Sequence, residues 1–368
     1  MTREEVSKEV LNIPNNNILL QLPTGYGKTK LAIEIAMARN CKKILIVIPK
    51  LVLEENWIEE FNKWDYSAED VVFSTYNSLD KHADVEWDLI IVDEAHHLTE
   101  RCCTIMELMK YHNAILLSAT IKREIYYRLK DTFYNLYRYV IKIREAIDDE
   151  ILPDPKAILI PLTLDNTHCR EEYKKGKSTL LLTERGYYNK LSATIDNLKR
   201  AAMGNKFMEK RWLNQAGMRL KWLSNKKTNI VLEILRVLKD YRTLTFCNSI
   251  AQTEILGKNA IHSKKKDNTA ILQQFNTGKI KHITGVGILD EGVNLRNCQI
   301  GIYANLNSSL RIVQQRLGRT LRHKNPIIII PYYVGTRDEE IVHKMLEDYN
   351  PKLVKTIHNI EDIKYETK

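Results

Sequence analysis

A glycine-rich segment near the start of the chain has the residue types that bind phosphate. Residues 22–29 read Leu-Pro-Thr-Gly-Tyr-Gly-Lys-Thr, between an apolar run and a helical pattern. Glycines let backbone N–H groups turn toward an anion, and the start of a helix adds a favourable dipole. Lys28 is expected to reach the β- and γ-phosphates, and Thr29 to offer its hydroxyl to Mg²⁺. The segment therefore predicts a nucleotide site formed by Thr24, Gly25, Tyr26, Gly27, Lys28 and Thr29.

An acidic pair follows the apolar run Leu89–Val92 and is therefore expected at the carboxyl end of a strand. There Asp93 can hold Mg²⁺ through its water shell, and Glu94 can polarise the attacking water as a general base. His96, beside this base, is predicted to couple the nucleotide to a second domain. Because the pair comes about 65 residues after the glycine-rich segment, the two motifs together predict hydrolysis of a nucleoside triphosphate.

A small polar tripeptide ends the strand that begins at Ile115. Ser118 and Thr120 are hydroxyl residues of a kind that often caps helices, so the tripeptide alone is weak evidence. Because it follows the two motifs above, we interpret Ser118 and Thr120 as a link between nucleotide state and domain closure.

Two arginines lie late in the chain, in a second region of alternating strands and helices. Arg319 and Arg322 are three residues apart and so project from one helical face. Two guanidinium groups placed this way suit a triphosphate bound by another domain, as in an arginine finger. Upstream, Gly292 follows a predicted strand in a loop suited to a ribose and the backbone phosphates.

Other short polar loops follow predicted strands and are typical of contacts with a nucleic-acid backbone. The residues predicted to make these contacts are Pro49, Lys50, Thr75, Asn248 and Ser249.

These residues must be positioned by two α/β regions, because apolar runs alternate with helical patterns on both sides of a helical middle. The predicted strands cover 18–22, 44–48, 71–74, 89–92, 115–117, 157–164, 243–246, 281–285, 299–304 and 327–333. The predicted helices cover 28–39, 54–64, 126–147, 230–239 and 310–321, with a helical, basic pattern from 168 to about 225. We expect a first domain over 1–125, a linker or insertion over 126–228, and a second domain over 229–368 with a helical C-terminal tail.

The positive charge is concentrated in the middle of the chain. The net charge is +10, and residues 156–228 alone hold 16 basic and 6 acidic side chains. Basic side chains interleaved with aromatic rings are what backbone tracking and base stacking require, although charged runs often only solvate a helix. We therefore predict nucleic-acid contacts by Lys174, Lys175, Lys177, Lys199 and Arg200. The interleaved rings are Tyr173, Tyr187, Tyr188, Phe207, Trp212 and Trp222.

Composition narrows the class of protein. The chain has 368 residues, enough for about two domains, and 44% are hydrophobic, enough for sizeable cores. No apolar run approaches the roughly 20 residues that cross a bilayer, so no membrane partner is expected. The six cysteines form no CxxC pair, which disfavours zinc ribbons and disulfide scaffolds. We expect a cytoplasmic protein with reduced thiols, of a compact size compatible with a phage or mobile-element source.

In their order and spacing, these segments resemble the motor of superfamily 2 helicases and translocases. The matching segments are LPTGYGKT, IPKLVL, FSTYNSL, DEAH, SAT, TFCNS, TGVGILDEGVNL and QRLGRTLR. The resemblance covers about 1–125 and 229–335 and implies two RecA-like domains, ATP and Mg²⁺ as cofactors, and Gln315, Arg319 and Arg322 as γ-phosphate sensors. Many relatives carry Arg-x-x-Gln upstream to read adenine, whereas Arg3 is followed here by Glu4, Glu5 and Val6.

The resemblance implies ATP hydrolysis coupled to movement along, or remodelling of, a nucleic acid. LPTGYGKT looks more like the motif of DNA translocases related to restriction motors and branch-migration helicases than like GETGSGKT of the RNA-processing DEAH enzymes. We therefore expect duplex, forked or branched DNA as the partner of a monomer or weak oligomer. Two alternatives remain: an RNA-dependent ATPase, or a DNA-binding motor subunit that acts as an adaptor in a larger complex.

Overall fold

The protein consists of two compact units, each built on a parallel β-sheet. The computed structural model describes residues 1–66, 70–176, 178–286, 295, 298–307, 316, 318, 323–347 and 349–367. One unit contains Met1–Asp154, and the other contains most of the chain from Pro155 onward. This architecture confirms the predicted α/β fold class.

The first unit alternates strands and helices along the chain. Its elements are α1 Arg3–Leu11, β1 Asn17–Gln21, α2 Lys28–Ala38, β2 Lys43–Ile48, α3 Glu54–Lys63, β3 Asp70–Thr75, β4 Glu86–Asp93, α4 Glu100–Leu108, β5 Lys110–Ser118, α5 Arg123–Thr132, β6 Tyr137–Val140 and α6 Ile143–Asp148. Three 3₁₀ turns lie between them, at Leu51–Leu53, Tyr76–His82 and Ala95–His97.

The strands of the first unit are ordered β3-β2-β4-β5-β1-β6, and all their pairings are parallel. Near-continuous apolar runs form the central strands because a parallel sheet is covered by helices on both faces. Strand β1, for example, buries Ile18, Leu19 and Leu20 completely. In register, Gln21 lies opposite Ser118 and Asp93 lies opposite Leu117, so the three central strands end at one edge of the sheet.

The stretch 126–147, predicted as one helix, is divided in the structure, and that prediction is wrong. Helix α5 ends at Thr132, and Asn135 adopts a left-handed backbone with φ of +55°. The chain then pairs with β1 as β6, which is rich in the aromatic and β-branched residues that favour strands. The left-handed residue reverses the chain, so a continuous helix cannot form.

The second unit carries its own sheet and a helical module. Its elements are β7 Lys156–Leu162, β8 Glu171–Lys175, β9 Ser178–Leu182, α7 Glu184–Ala201, α8 Lys206–Lys226, α9 Thr228–Val237, β10 Thr243–Phe246, α10 Ile250–Leu256, β11 Ala260–Ile261, α11 Asn268–Asn276, β12 His282–Gly285, β13 Ile300–Tyr303, β14 Ile327–Tyr333, α12 Arg337–Leu346, β15 Val354–Thr356 and α13 Ile363–Glu366. Two further 3₁₀ turns cover Pro351–Leu353 and Ile360–Asp362. The helix predicted over 310–321 falls almost wholly outside the described residues.

The second sheet has the order β11-β12-β10-β13-β14-β7-β15 and is also parallel. Strand β7, which the sequence placed in the linker, lies inside this sheet between β14 and β15. Its apolar residues Ala157–Ile160 are buried there, so the chain enters the second sheet before the basic helices begin.

The basic module between β7 and α9 has more strand than the sequence predicted. Strands β8 and β9 form an antiparallel hairpin that turns at Gly176, whose φ is +62°. The helices α7 and α8 then pack against each other. The sequence predicts a helical pattern throughout this stretch. It gives no sign of the strands, because the Lys-rich hairpin lacks the alternating apolar pattern of a half-buried strand.

A buried ion pair lies where the basic module joins the rest of the second unit. Lys227, between α8 and α9, donates to Asp338 of α12 at 2.8 Å, and the two side chains are 0% and 1% exposed. Burial lowers the pKa of the Lys227 ammonium, while the Asp338 carboxylate opposes that shift. Next to the pair, buried Ser224 donates to Gln252 of α10.

We expect Lys227→Met to destabilise the second unit by about 3–5 kcal/mol, because the substitution leaves the Asp338 carboxylate buried without its cation. Urea unfolding measures this free energy. The double variant Lys227→Met/Asp338→Asn should be less destabilised, since the uncompensated charge is gone. Lys364→Met, which removes an exposed ion pair with Glu361, is the matched control and should cost less than about 1 kcal/mol. Equal costs for Lys227→Met and Lys364→Met would contradict this account.

Candidate nucleotide and nucleic-acid sites

The glycine-rich segment forms a turn between β1 and α2 whose backbone only glycine adopts readily. Gly25 and Gly27 have φ of +89° and +109°. Gly27 precedes the first turn of α2, so backbone N–H groups that have no acceptor within the helix, and the positive end of the helix dipole, lie at this turn. The Lys28 ammonium donates to the carbonyl of Leu22 at 3.1 Å. The turn therefore has the backbone geometry of an anion cradle.

The nucleotide-site residues predicted in the first unit share one cavity of about 650 Å³. Thr24–Thr29 line it from one side, and Asp93 and Glu94 line it from the end of β4. Pro49, predicted to contact nucleic acid, also lines this cavity, and Trp57 and Trp64 of the α3 region complete its wall. The structure thus brings the glycine-rich segment and the acidic pair together, as their order in the sequence predicts.

Asp93 interacts with a hydrogen-bond donor from α3 and with the positive charge of Lys28 in α2. The indole N–H of Trp57 donates to its Oδ2 at 3.2 Å. Withdrawal from water raises the pKa of the Asp93 carboxyl, and the positive charge of Lys28 and the Trp57 hydrogen bond oppose that shift. One carboxylate oxygen is thus fixed by the indole.

Glu94 and the three predicted coupling residues form a connected set. The Glu94 carboxylate lies 3.3 Å from Nδ1 of His96, and the same Nδ1 lies 3.0 Å from Oγ of Ser118. The Ser118 hydroxyl donates to the carbonyl of Thr120 at 3.0 Å. Because that hydroxyl has one proton, it accepts from His96, so Nδ1 carries the imidazole hydrogen. The structure therefore brings His96, Ser118 and Thr120 together beside the candidate base.

The strand that ends at Ser118 is also tied to the phosphate-binding turn. The N–H of Leu22 donates to the carbonyl of Ser118 at 3.1 Å. A displacement of Ser118 would therefore act on Leu22 and, through the Leu22 carbonyl, on Lys28.

Two aromatic residues at this site received no role from the sequence. Trp57 lies on the buried face of α3, and Tyr76 begins the 3₁₀ turn after β3. The Tyr76 hydroxyl lies 2.5 Å from the backbone carbonyl oxygen of Asp93 and 3.0 Å from that of Glu94, and its single proton is shared between the two acceptors. An aromatic residue on the inner face of an amphipathic helix is more often a core residue, so the pattern alone could not identify Trp57 as a partner of Asp93.

The donors present suit a metal ion held mainly by phosphate and water. Among the described residues, no group of three or more His, Cys, Asp or Glu side chains could hold a metal by itself. Mg²⁺ usually takes one or two protein oxygens, keeps several waters and binds substrate phosphates. The Thr29 hydroxyl and the Asp93 carboxylate, which line one cavity, supply such a pair.

Several predicted residues of the second unit fall outside the part of the chain that the structure describes. These are Gly292, Gln315, Arg319 and Arg322. Asn248 and Ser249 are described and follow β10, where Ser249 caps α10 by accepting from the N–H of Gln252 at 3.1 Å. The Ser249 hydroxyl donates to Asn225 at the end of α8, so this loop contacts the basic module.

The predicted nucleic-acid residues of the module lie on two of its elements. Lys174 and Lys175 belong to β8, and Lys199 and Arg200 form the last turn of α7. Lys177 is outside the described residues. In the first unit, Lys50 is exposed and Thr75 is partly exposed.

The aromatic residues of the module do not form one exposed surface. The ring centroids of Tyr173 and Tyr187 lie 6.1 Å apart, and those of Tyr187 and Trp222 lie 5.2 Å apart. Tyr188 is buried, where its hydroxyl accepts from the N–H of Arg337. Phe207, at the start of α8, is 68% exposed. Most of these rings therefore stabilise the module. Phe207 is the ring of this set that is mainly open to solvent.

Two family models match the chain in the order that the two units follow. The model "Type III restriction enzyme, res subunit" matches residues 3–123, and the model "Helicase conserved C-terminal domain" matches residues 226–324.

A curated relative from Sulfurisphaera tokodaii is named "DNA 3'-5' translocase XPB2". It is 25% identical over 365 residues, which cover 89% of this chain and 80% of that protein. Two solved structures share the fold at low identity. Dbp5 from S. cerevisiae, bound to RNA and ADP BeF3, is 12% identical with a TM-score of 0.66, covering 99% of this chain and 91% of its own. The Hef helicase domain of Pyrococcus furiosus is 16% identical with a TM-score of 0.53, covering 93% and 97%.

The motifs, the two parallel sheets and the two matched models define one class of protein. The chain belongs to the superfamily 2 helicases and is a nucleic-acid-dependent ATPase. Residues 93–96 spell DEAH, but the matched models define no DEAH-box subgroup.

Within the described residues, no helix is both long enough and apolar enough to span a bilayer.

We expect Glu94→Gln to lower ATP turnover by about 10²–10⁴-fold, because the variant keeps the shape of the side chain and loses the proton acceptor. Nucleotide binding should persist, so the variant should retain ATP when turnover stops. Steady-state phosphate release and retention of labelled ATP measure the two effects. Glu59→Gln is the matched control, since Glu59 is an exposed carboxylate that lines the same cavity. Unchanged turnover in Glu94→Gln would exclude Glu94 as the base.

Proposed function

We propose that the chain is an ATP-driven motor that moves along, unwinds or remodels DNA, with Mg²⁺-bound ATP as its fuel. The observation that carries this proposal is the shared cavity of the first unit, where the phosphate-binding turn faces Asp93 and Glu94. The DNA assignment is supported by the relative named as a DNA translocase and by the restriction-enzyme model over residues 3–123.

In this proposal the first unit binds and hydrolyses the nucleotide. Lys28 and Thr29 hold the phosphates and the metal ion, which screens the charge that develops on the phosphates. Glu94 accepts a proton from the attacking water, and Gln315, Arg319 and Arg322 sense the γ-phosphate. The series of polar contacts from Glu94 through His96 to Ser118 and Thr120 couples the state of the nucleotide to the rest of the motor.

The basic module is the proposed grip on DNA. The segment 156–228, which contains the module, has a net charge of +10 that equals that of the whole chain, so the remaining 40 basic and 40 acidic side chains cancel. Lys174, Lys199 and Arg200 are exposed and available to phosphates. Phe207 adds an exposed ring, and the guanidinium of Arg211 lies 5.8 Å from that ring. Such a pair can stack on an unpaired base.

RNA is the second candidate partner. The fold is shared with Dbp5, a protein solved with RNA, although at 12% identity this likeness extends to the fold alone. The adaptor alternative is disfavoured because a scaffold need not keep Lys28 and Glu94 in one cavity.

We expect duplex or forked DNA to stimulate ATP hydrolysis at least about tenfold more than RNA of matched sequence and length, since the proposed grip is on DNA. Steady-state ATPase across single-stranded, duplex, forked and four-way DNA and matching RNA measures this preference. Lys28→Ala should bind the same DNA without hydrolysis and so serves as the blank. Greater stimulation by RNA would overturn the DNA assignment, and no stimulation by either would favour the adaptor.

Neutralising the basic module should weaken DNA binding more than ATP binding. In a variant with Lys174, Lys175, Lys177, Lys199 and Arg200 changed to Gln, we expect the slope of log K against log salt to fall by about 0.9 for each phosphate that is no longer neutralised. The control variant changes five exposed lysines outside the module, Lys239, Lys258, Lys279, Lys352 and Lys355. Equal loss of DNA and ATP affinity, or the same slope in both variants, would contradict the proposed grip.

A further inference from the structure

Tyr76 joins two parts of the first unit, the loop after β3 and the end of β4. Its hydroxyl proton is shared between the backbone carbonyls of Asp93 and Glu94, at 2.5 and 3.0 Å. Its own backbone begins the 3₁₀ turn Tyr76–His82, directly after Thr75 at the end of β3. One side chain therefore connects the loop predicted to contact nucleic acid with the backbone of the two acidic residues of the candidate nucleotide site.

The carbonyls that accept from Tyr76 belong to a backbone turn with an unusual conformation. Glu94 has φ of +56° and ψ of +53°, a left-handed conformation that costs a non-glycine residue of the order of 1–2 kcal/mol. Such a conformation persists only where surrounding contacts fix it. It determines the direction in which the Glu94 side chain leaves the backbone and reaches His96 at 3.3 Å. The hydroxyl proton that Tyr76 shares between these two carbonyls thus acts on the direction of the candidate base.

The backbone of Tyr76 lies in the 75–78 loop and is placed to respond to a ligand bound there. Thr75 is partly exposed, and its hydroxyl donates to that of Ser78 at 3.3 Å, while Asn77 between them is exposed. The carbonyl of Tyr76 is 3.6 Å from the Sγ of Cys102, and its ring packs against the buried core beneath β4 and β5. A shift of the peptide at 75–77 would therefore be carried to the hydroxyl through a packed aromatic ring.

We infer that Tyr76 is a positioning residue through which nucleic acid bound at the 75–78 loop brings Glu94 into its productive direction. Nucleic acid then accelerates hydrolysis without touching the nucleotide. This inference rests on the proposed contact between Thr75 and nucleic acid. It is separate from the connection through His96 and Ser118, since that path leaves the Glu94 side chain toward β5, whereas Tyr76 holds the Glu94 backbone from β3.

The test is the factor by which the most effective nucleic acid stimulates the ATPase of Tyr76→Phe. The variant keeps the ring and loses the hydroxyl, so we expect the stimulation factor to fall about fivefold to tenfold, as the removal of one shared hydrogen bond would give. The affinity for nucleic acid and the KM for ATP should stay within about twofold of the wild type. Thermal unfolding of the variant, followed beside the wild type, establishes that it is folded.

Two variants separate coupling from general support of the site. Tyr111→Phe makes the same change in the same core, at a ring that packs on Phe133, and should leave the stimulation factor unchanged. Trp57→Phe removes the indole bond to Asp93 and should lower the rates with and without nucleic acid by one common factor. If Tyr76→Phe behaves like either of these variants, the inference is wrong. If the wild type itself shows no stimulation, the proposed function fails instead.

Discussion

Parallel pairing of β1, β4 and β5 is the constraint on which the first unit depends. Because parallel strands all end at the same edge, residues far apart in the chain meet there. The phosphate-binding turn leaves β1, the acidic pair leaves β4, and Ser118 closes β5, whose carbonyl accepts from Leu22. The buried apolar side chains of these strands therefore position the functional residues at the edge of the sheet, although none of the apolar side chains takes part in the chemistry.

The role of a residue could be predicted from the sequence where that role depends on the local backbone. It could not be predicted where the role depends on a hydrogen-bond partner in a distant element. The turn with Gly25 and Gly27, and the acidic pair at the end of β4, follow from residue type and strand position. Tyr76 and Trp57 could not be assigned, because their value lies in where a hydroxyl and an indole N–H meet another element. Strand β6 and the hairpin β8–β9 were missed for a related reason, since the pairing of each strand is decided by its neighbour and by a turn residue with positive φ.

The basic module combines an exposed charged surface with an inner part that is held in place by hydrogen bonds and ion pairs. Arg185 donates to the carbonyls of Val334 and Gly335, and Lys226 pairs with Glu171 and Glu184. The indole of Trp222 donates to Glu171 at 2.9 Å, so the hairpin β8–β9 is also fastened to α8. The aromatic residues expected at a base-stacking surface are largely used in this fastening. Charge on the outside and rings on the inside suit a grip on backbone phosphates that is indifferent to base sequence.

The buried pair of Lys227 and Asp338 gives α8 the properties of a lever arm. A helix of 21 residues is about 32 Å long, at 1.5 Å per residue. Its inner end is locked, since Lys227 is paired with Asp338 and Ser224 is bonded to Gln252. A rotation of the second unit by about 6° about that inner end would carry Phe207, at the outer end, through roughly 3.4 Å, the rise of one nucleotide along a strand. A small rotation at the inner end of α8 would therefore appear at its outer end as a displacement on the scale of a single base.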